Sequence, residues 1–452
     1  MTTLTRPIPG PAREYHFPRF ERRYLDNGMS VLIAPVRKLP VVSVAVVIDA
    51  TALDDPPGIG GVAELTAQAL REGTQTRDGL RLALDLEKRG TSLEVGADWD
   101  STVASMTVLK DRLDPAFEIF AEVLTSPAFK EEDIERLKAE RLAERMQILA
   151  EPRGLADESF ARFIYAEGSR YREPMSGSAS SVSRIARHDV VAFYEHGYVP
   201  EAVTLIITGD VSVDEGMRLA QSSFGTWAGE RIVSTKRADR AARKEKSVEI
   251  IAKPDAAQSE LRIGHVGVPR SHPEYFNIVV MNAVLGGLFS SRINLNLREV
   301  HGYTYSASSY YDWRRQAGPF VISTAVQSEV TGEAIAETLK EIERMQSEEI
   351  TDDERTLATS YLEGVFPIRY ETTASIAAAL ANLVTFGLPE DYYDTYRANI
   401  AAVTTADILK AAKAHVKSGE LQAVVVGNPD ILRSPIEALG IGPVTVREAI
   451  EP

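Results

Sequence analysis

Apolar and polar positions alternate at helical spacing along the segment GGVAELTAQALREGT, residues 60–74. Three apolar residues share the face that would pack inward: Val62, Leu65 and Ala69. Three polar residues share the opposite stripe: Glu64, Gln68 and Arg71. The pattern predicts one short helix that ends at Gly73, because glycine commonly follows the last helical turn.

A longer pattern, in which a helix, a turn and an apolar strand follow one another, occurs twice. It covers residues 185–210 and residues 403–428, and both copies end in a glycine after the apolar run. Three pairs of positions are each separated by 218 residues: Asp189 and Asp407, Val190 and Ile408, Gly209 and Gly427. Earlier in each half, a Gly-Gly pair begins a helix that ends in Leu-Arg-Glu, at residues 60–72 and 286–299. The chain therefore contains one unit twice.

Each half also contains a strand region, at residues 90–108 and 303–326, followed by helical segments. In the first half these helices are predicted at residues 114–124 and 131–149. The regular βαβ order of a parallel sheet is missing, so the pattern favours the α+β class. We expect two homologous domains, each a mainly antiparallel sheet with helices packed on one face, arranged as a clamshell.

The join between the two units is predicted at a dense run of charged residues, STKRADRAARKEK, residues 234–246. Such a run could be a basic docking arm, but a solvated linker is the more common use of this composition. The predicted boundaries are residues 15–228 for the first domain, 229–246 for the linker and 247–452 for the second domain.

Composition excludes several classes of function. The chain has 452 residues, of which 44% are hydrophobic and 25% charged, as in globular proteins. Its net charge is −15, which disfavours nucleic acid and anionic membranes as partners. There are no cysteines, so disulfides and Cys-ligated zinc are excluded. No apolar run near the start approaches the length of a membrane span, and no signal peptide is visible. We expect a cytoplasmic protein without membrane insertion, or a periplasmic one if a signal peptide has been removed.

Histidine is the commonest metal ligand and general base, so its placement limits the possible chemistry. The seven histidines include no two that are three or four residues apart, so no helical zinc pair exists. No G-x-S-x-G motif indicates a nucleophilic serine, and GGLFSS at residues 286–291 lacks the G-K-[ST] ending of a phosphate loop. Close packing at a helix start is a simpler explanation for those two glycines.

The order of these segments resembles that of the pitrilysin/insulinase-type metallopeptidases, the inverzincins. Their zinc helix carries H-x-x-E-H followed shortly by Gly-Thr, which matches Gly73-Thr74 here. This alignment places the two family histidines at Glu64 and Gln68 and the catalytic glutamate at Ala67. All three family residues are therefore replaced in this chain.

The resemblance extends over nearly the whole chain, from about residue 23 to residue 430. The third zinc ligand of the family is a glutamate about 76 residues after the second histidine, and Glu144 lies 76 residues after Gln68. One carboxylate does not hold zinc, which takes three protein ligands at catalytic sites. We therefore expect no metal and no cofactor in this chain.

The second half resembles the family segment in which an arginine, and a tyrosine seven residues later, face the zinc site. Arg298 and Tyr305 have that spacing. A tyrosine hydroxyl can donate to the oxyanion formed at an attacked peptide carbonyl, and arginine can bind a substrate carbonyl. A purely structural interpretation makes Arg298 a helix C-terminal charge and Tyr305 a half-buried strand aromatic. The family resemblance favours the functional interpretation.

Some members of this family work as pairs, in which one chain carries H-x-x-E-H and a degenerate partner carries the arginine and the tyrosine. The resemblance implies that this chain is the inactive, non-zinc-binding subunit of a heterodimeric zinc metallopeptidase that cleaves peptides, with zinc in the partner. Two alternatives stay open. The chain could be a structural subunit of a larger complex, or a peptide-binding module that acts alone by strand addition at a sheet edge.

Overall fold

The computed structural model describes residues 14–232 and 241–449. Its twelve described strands are β1 (Glu21–Tyr24), β2 (Ser30–Pro35), β3 (Val41–Ile48), β4 (Glu94–Ala97), β5 (Thr102–Leu109), β6 (Val203–Gly209), β7 (Ser247–Ala252), β8 (Ser259–Val266), β9 (Ala307–Tyr311), β10 (Pro319–Val326), β11 (Gln422–Gly427) and β12 (Val444–Glu448).

The described helices of the first half are α1 (Val62–Ala69), α2 (Gly79–Glu87), α3 (Leu113–Thr125), α4 (Glu131–Ala150), α5 (Pro152–Ile164), α6 (Ala179–Arg184), α7 (Arg187–Gly197) and α8 (Val213–Phe224). Those of the second half are α9 (Tyr275–Asn282), α10 (Arg292–Asn294), α11 (Thr331–Ser347), α12 (Asp352–Arg369), α13 (Thr373–Phe386), α14 (Tyr392–Ala401), α15 (Thr405–His415) and α16 (Pro429–Ala438). Two further segments, Ala283–Gly287 and Leu295–Val300, are wound as π-helix.

The strands form two six-stranded sheets in which five strands correspond. The sixth differs, because β1 pairs antiparallel with β2 in the first sheet and β12, from the end of the chain, pairs parallel with β7 in the second. The order is β1-β2-β6-β3-β5-β4 in the first sheet and β12-β7-β11-β8-β10-β9 in the second. Most neighbours are antiparallel, while β2 with β6, and β7 with both β11 and β12, are parallel. The predicted duplication and the mainly antiparallel α+β class are confirmed.

The internal repeat is exact at one helix of each half. Helix α7 spans residues 187–197 and α15 spans residues 405–415, so both ends are separated by 218 residues. Asp189 accepts a hydrogen bond from the backbone N–H of Ala186, at 2.8 Å, and Asp407 accepts one from Thr404, at 3.1 Å. In both halves this carboxylate therefore caps the helix that precedes a central strand of the sheet.

The two halves exchange one helix each. Helix α5, from the first half, packs on β8 and β11 of the second sheet, and α13, from the second half, packs on β3 and β6 of the first. Thr208 donates a hydrogen bond to the carbonyl oxygen of Thr373, at 2.7 Å, and Tyr165 donates one to that of Ala317, at 3.0 Å. The predicted helical layer is present in each half, and the exchanged helix covers the other face of each sheet.

The burial of side chains along β3 shows that both faces of the first sheet are covered. Val44 and Val46 belong to the core formed by helices of the first half, whereas Ala45 and Val47 belong to the core that includes α13. Because side chains alternate across a strand, these two sets lie on opposite faces of the sheet. Each sheet is therefore a middle layer, and the halves are held together by much more than the linker.

The structure bears on the predicted strand of the second half and on the predicted linker. The predicted strand from Tyr303 begins only at Ala307, because Gly302 has a positive φ of 67° and Thr304 bonds within the loop to Ser306. β7 begins at Ser247, and residues 233–240 of the predicted linker lie outside the described residues.

By length and composition, the segment Tyr275–Val300 could cross a membrane. More than half of its most apolar part is buried inside the protein, however, and the helix is interrupted at residues 288–291.

Candidate functional site

Helix α1 carries the positions that align with the family's zinc motif, and a buried carboxylate fixes the start of this helix. Asp55 accepts hydrogen bonds from the backbone N–H groups of Gly61, at 2.6 Å, and Ala63, at 2.9 Å. The Arg170 guanidinium pairs with the same carboxylate at 2.7 Å, and the Asp55 side chain is fully buried. A negative charge at a helix start is favourable, so this pair sets the position and direction of α1.

The polar stripe of α1 faces helix α4, where an arginine lies between the aligned zinc-motif positions. Nη2 of Arg141 lies 2.6 Å from Oε1 of Glu64, and Nη1 of Arg141 lies 3.2 Å from Oε2 of Glu144. The Gln68 side-chain amide contacts the same oxygen of Glu64 at 3.5 Å. The structure thus brings together the predicted positions Glu64, Gln68 and Glu144, and it places a guanidinium among them.

The environment of Glu64 is poorly hydrated. Its side chain is 16% exposed and that of Arg141 is 12% exposed. Burial raises the pKa of Glu64, Arg141 opposes that rise, and the neighbouring Glu144 adds to it. Within the described ranges, the second oxygen of Glu64, Oε2, is buried without a hydrogen-bond partner. Arg141 is therefore the group that makes a charged Glu64 tolerable at this depth.

These residues do not fit a catalytic zinc ion. The sequence resemblance aligns Ala67 with the family's catalytic glutamate, and its methyl side chain is fully buried in the apolar core. Gln68 offers a neutral amide, and the two carboxylates are already paired with a guanidinium that is permanently charged. Catalytic zinc takes three protein ligands from histidine, cysteine, aspartate or glutamate. The Arg141 guanidinium is held between both carboxylates with little solvent to screen it, so it repels a second cation there.

Arg298 and Tyr305 lie on a segment of the second half, residues 289–305, whose backbone is held in place by hydrogen bonds. We call it the braced segment. Arg298 is part of the π-helical segment Leu295–Val300. The backbone N–H of Tyr303 donates to the carbonyl of Leu297 at 2.8 Å and so closes the turn that follows this segment. Buried Asn294 donates to the carbonyl of Phe289 at 2.6 Å and accepts from the backbone N–H of Ala307 at 3.0 Å. The backbone on both sides of the loop is therefore fixed.

Tyr305 is directed towards solvent, whereas Arg298 is half-buried. Tyr305 is 88% exposed, which rules out the half-buried strand aromatic considered from sequence. The Arg298 guanidinium lies 4.6 Å from the ring centre of Phe289 and 3.3 Å from a carboxylate oxygen of Glu299. Among the described residues, no hydrogen bond joins Arg298 to Tyr305, and their common orientation towards a zinc site stays a prediction.

Large apolar side chains are exposed on the same segment. Phe289 is 68% exposed and Val300 is 73% exposed, and Leu295 is also exposed. Exposed apolar groups concentrated between residues 289 and 300 are typical of a surface that contacts another molecule. Gly286, which precedes this segment, lies against β9, since a β-carbon there would be 2.6 Å from the backbone nitrogen of Ser309. Close packing thus explains this glycine, as the sequence indicated.

Arg141 is the residue of this site that the sequence analysis missed. It lies three residues before Glu144 on α4, and an arginine at that spacing normally indicates a surface ion pair. Its contact with Glu64 joins positions 77 residues apart, and no local sequence pattern indicates a contact at that separation. The signal in the sequence was the combination of Glu144, which the resemblance aligns with the third zinc ligand, and an arginine one turn earlier on the same helix.

Comparisons with known proteins agree with this description. Residues 31–171 match the family model described as Insulinase (Peptidase family M16), and residues 184–361 match the model described as Peptidase M16 inactive domain. An uncharacterized zinc protease of Mycobacterium tuberculosis is 24% identical over 409 residues, covering 90% of this chain and 92% of the relative. A Helicobacter pylori relative, described as Non-peptidase homolog YmxG, is 23% identical over 373 residues, covering 81% and 84%.

Solved structures share the fold. A peptidase M16 inactive domain from Pseudomonas fluorescens superposes with a TM-score of 0.84 at 24% identity, covering 90% of this chain and 98% of that one. A protease from Helicobacter pylori gives the same TM-score at 18% identity, covering 90% and 99%. The two family models together span most of the sequence, which lacks an H-x-x-E-H motif. The chain belongs to the insulinase family of peptidases, family M16.

Proposed function

We propose that this chain is the subunit of a heterodimeric zinc metallopeptidase that does not bind the catalytic zinc, and that it supplies Arg298 and Tyr305 to the active site of a homologous partner. The observation that carries the proposal is the contrast between two sites. The aligned zinc-motif positions are filled by the ion pair of Glu64 with Arg141, whereas Tyr305 is almost fully exposed on the braced segment. The partner carries H-x-x-E-H and holds the zinc.

Each of the two side chains has a defined chemical role in this proposal. The Tyr305 hydroxyl donates a hydrogen bond to the oxygen of the attacked peptide carbonyl, where negative charge develops. The Arg298 guanidinium binds a neighbouring carbonyl of the peptide backbone and holds the substrate before and during the reaction. The partner's zinc supplies the Lewis-acid chemistry. Neither role requires a metal ligand in this chain.

The exposed apolar side chains of the segment support its use at an interface. Phe289 contacts the Arg298 guanidinium, so burying the phenyl ring against a partner would also desolvate the arginine. A charged hydrogen bond is stronger away from water. Association would therefore strengthen the interaction of Arg298 with a substrate carbonyl, and the isolated chain would bind peptides weakly.

A second candidate function has its own supporting observation. Strand β4 is an edge of the first sheet, and a groove of about 500 Å³ lies beside it, lined by residues that include Glu87, Thr91, Glu94 and Ser105. An extended peptide could pair with this edge, as in the stand-alone peptide-binding module. The other alternative, a structural subunit of a larger complex, requires neither this groove nor exposure of Tyr305.

The proposal is tested by mixing this chain with a homologous chain that has an intact H-x-x-E-H. We expect a species of about double mass in size exclusion with light scattering, and hydrolysis of a fluorogenic peptide only by the mixture. Arg298→Ala should weaken substrate binding and turnover together, because it removes a charged contact used before and during the reaction. The matched control is Arg218→Ala, since this exposed arginine lies on α8 of the first half.

Three outcomes separate the candidates. Assembly with full activity in Arg298→Ala would identify a structural subunit. Tight binding of peptides by the isolated chain, without assembly with any homologous chain of the same genome, would identify the stand-alone module. Assembly together with loss of activity in Arg298→Ala, but not in Arg218→Ala, supports the proposed heterodimeric peptidase.

A further inference from the structure

Two histidines and a glutamate from distant parts of the second half meet where the start of α9 lies against the end of α15. His272 and Glu274 precede α9, and His415 is the last residue of α15. One ligand atom from each of the three side chains lies within 4.8 Å of the others. We propose that His272, Glu274 and His415 form a binding site for a divalent transition-metal ion of the zinc class, separate from the aligned zinc-motif positions.

The arrangement of the three side chains is close to that of a metal site. Nε2 of His415 lies 2.7 Å from Oε2 of Glu274, and the rings of His272 and His415 are 4.7 Å apart at an interplanar angle of 78°. Two imidazoles bound to one zinc ion at about 2.0–2.1 Å, at a tetrahedral angle, have ring centres roughly 5 Å apart. The rings are therefore already at the required separation, and a small opening of the contact between His415 and Glu274 would admit the ion.

Neighbouring groups hold two of the ligands in place. Nζ of Lys410 lies 3.0 Å from Oε1 of Glu274, which leaves Oε2 directed towards His415. The backbone carbonyl of His415 accepts a hydrogen bond from buried Tyr311 at 3.0 Å, and the imidazole of His415 is itself buried. Ligands of protein-bound metals are commonly oriented by such hydrogen-bonded neighbours.

His272 is the adjustable ligand. Its Nδ1 receives a long hydrogen bond of 3.2 Å from the backbone N–H of Glu274, and the ring is half-buried. Rotation of this ring presents either nitrogen to an ion at the cost of this one hydrogen bond, whose length is at the upper end of the usual range. His272 is therefore also the best residue to replace, since its removal leaves the ion pair of Glu274 with Lys410 in place.

The donor set selects the class of ion. Two neutral imidazoles with one carboxylate suit zinc, cobalt, nickel and copper, whereas magnesium and calcium prefer sites made of oxygen ligands. Three protein ligands leave a further coordination position for water. The competing interpretation is a simple hydrogen-bonded bridge, in which Glu274 links His415 to Lys410 and fastens α9 to α15. That bridge requires no contribution from His272, and this difference makes the proposal testable.

The test uses the full chain after removal of metals with a chelator. Titration with Co²⁺ should produce the visible absorption of a four-coordinate ion and saturate at one ion per chain, and calorimetry with Zn²⁺ should give the same stoichiometry. His272→Ala should weaken binding on the order of 100-fold or more, because a direct ligand is lost. His188→Ala is the matched control, since His188 is exposed and also lies beside a carboxylate, that of Asp189.

Two further measurements make the result decisive. Thermal unfolding of His272→Ala should match that of the metal-free wild type, whereas Zn²⁺ should raise the midpoint of the wild type alone. Replacing Glu64 and Gln68 by alanine should leave metal binding unchanged, which separates this site from α1. Absence of stoichiometric binding by the wild type, or unchanged binding by His272→Ala, would overturn the proposal and leave the bridge as the correct interpretation.

Discussion

Removal of Arg141 should strongly destabilise the first half, because Glu64 would lose its counter-ion. In Arg141→Met most of the aliphatic stem remains, so the main change is the loss of charge. Two unit charges about 4 Å apart attract by about 4 kcal/mol at an effective dielectric constant of about 20. Breaking a buried pair by removing one partner typically costs about 3–5 kcal/mol. Because both side chains keep some solvent contact, we expect a loss of about 3 kcal/mol in the free energy of unfolding.

The loss should depend on pH in a defined direction. The pKa of Glu64 is raised in the folded protein above the ordinary value of 4.5, and removal of Arg141 raises it further. The folded state then binds more protons than the unfolded state, so stability falls as pH rises from 4.5 through the raised pKa. The variant should therefore be closest to the wild type near about pH 5 and most destabilised at about pH 7.5.

Urea unfolding followed by circular dichroism at both pH values measures this difference. Glu64→Gln combined with Arg141→Met should recover most of the lost stability, since no uncompensated charge remains, and the double-mutant cycle isolates the pair. The matched control is Arg433→Met, because Arg433 forms an exposed pair with Glu437 on α16 and its loss should not change the midpoint measurably. If Arg141→Met were as stable as the wild type at both pH values, Arg141 would not be the group that neutralises Glu64.

Three further predictions concern the framework of the two sites. Asp55→Asn leaves the buried Arg170 guanidinium without its counter-charge and weakens the cap of α1, so the thermal midpoint should fall on the order of 5 °C or more in calorimetry. Gly286→Ala forces a β-carbon against the backbone of Ser309, so we expect a loss of about 1–3 kcal/mol in urea unfolding, with reduced activity of the mixture. Ala67→Glu places a carboxylate in the apolar core, so the purified variant should unfold at lower urea and gain no peptidase activity alone.

The duplicated architecture was predictable because its signals are local. Helix caps and apolar strands repeat at a constant separation, so the Asp189 and Asp407 caps and the shared order of five strands in each sheet follow from one register. The helical stripe of α1 was predictable for the same reason. Its inward and outward faces differ in polarity at every turn, and Glu64 and Gln68 lie on the predicted side.

The exchanged helices and the two side-chain clusters were not predictable in this way. α13 is apolar over most of its surface, and such a helix indicates burial without indicating against which sheet. The contact of Arg141 with Glu64 and that of His415 with Glu274 join residues 77 and 141 positions apart. Such contacts depend on how the elements pack, and only the three-dimensional arrangement contains that information.

The most direct test of the proposed function is the turnover number of the reconstituted complex carrying Tyr305→Phe. The substitution removes only a hydroxyl from a residue that is 88% exposed, so folding, assembly and the zinc content of the partner should be unchanged. Loss of one oxyanion donor costs on the order of 100-fold or more in kcat, so the account predicts that decrease. Tyr24→Phe, at an exposed tyrosine of β1, should leave kcat unchanged. An undiminished kcat in Tyr305→Phe, with zinc content and mass unaltered, would contradict the claim that this chain completes its partner's active site.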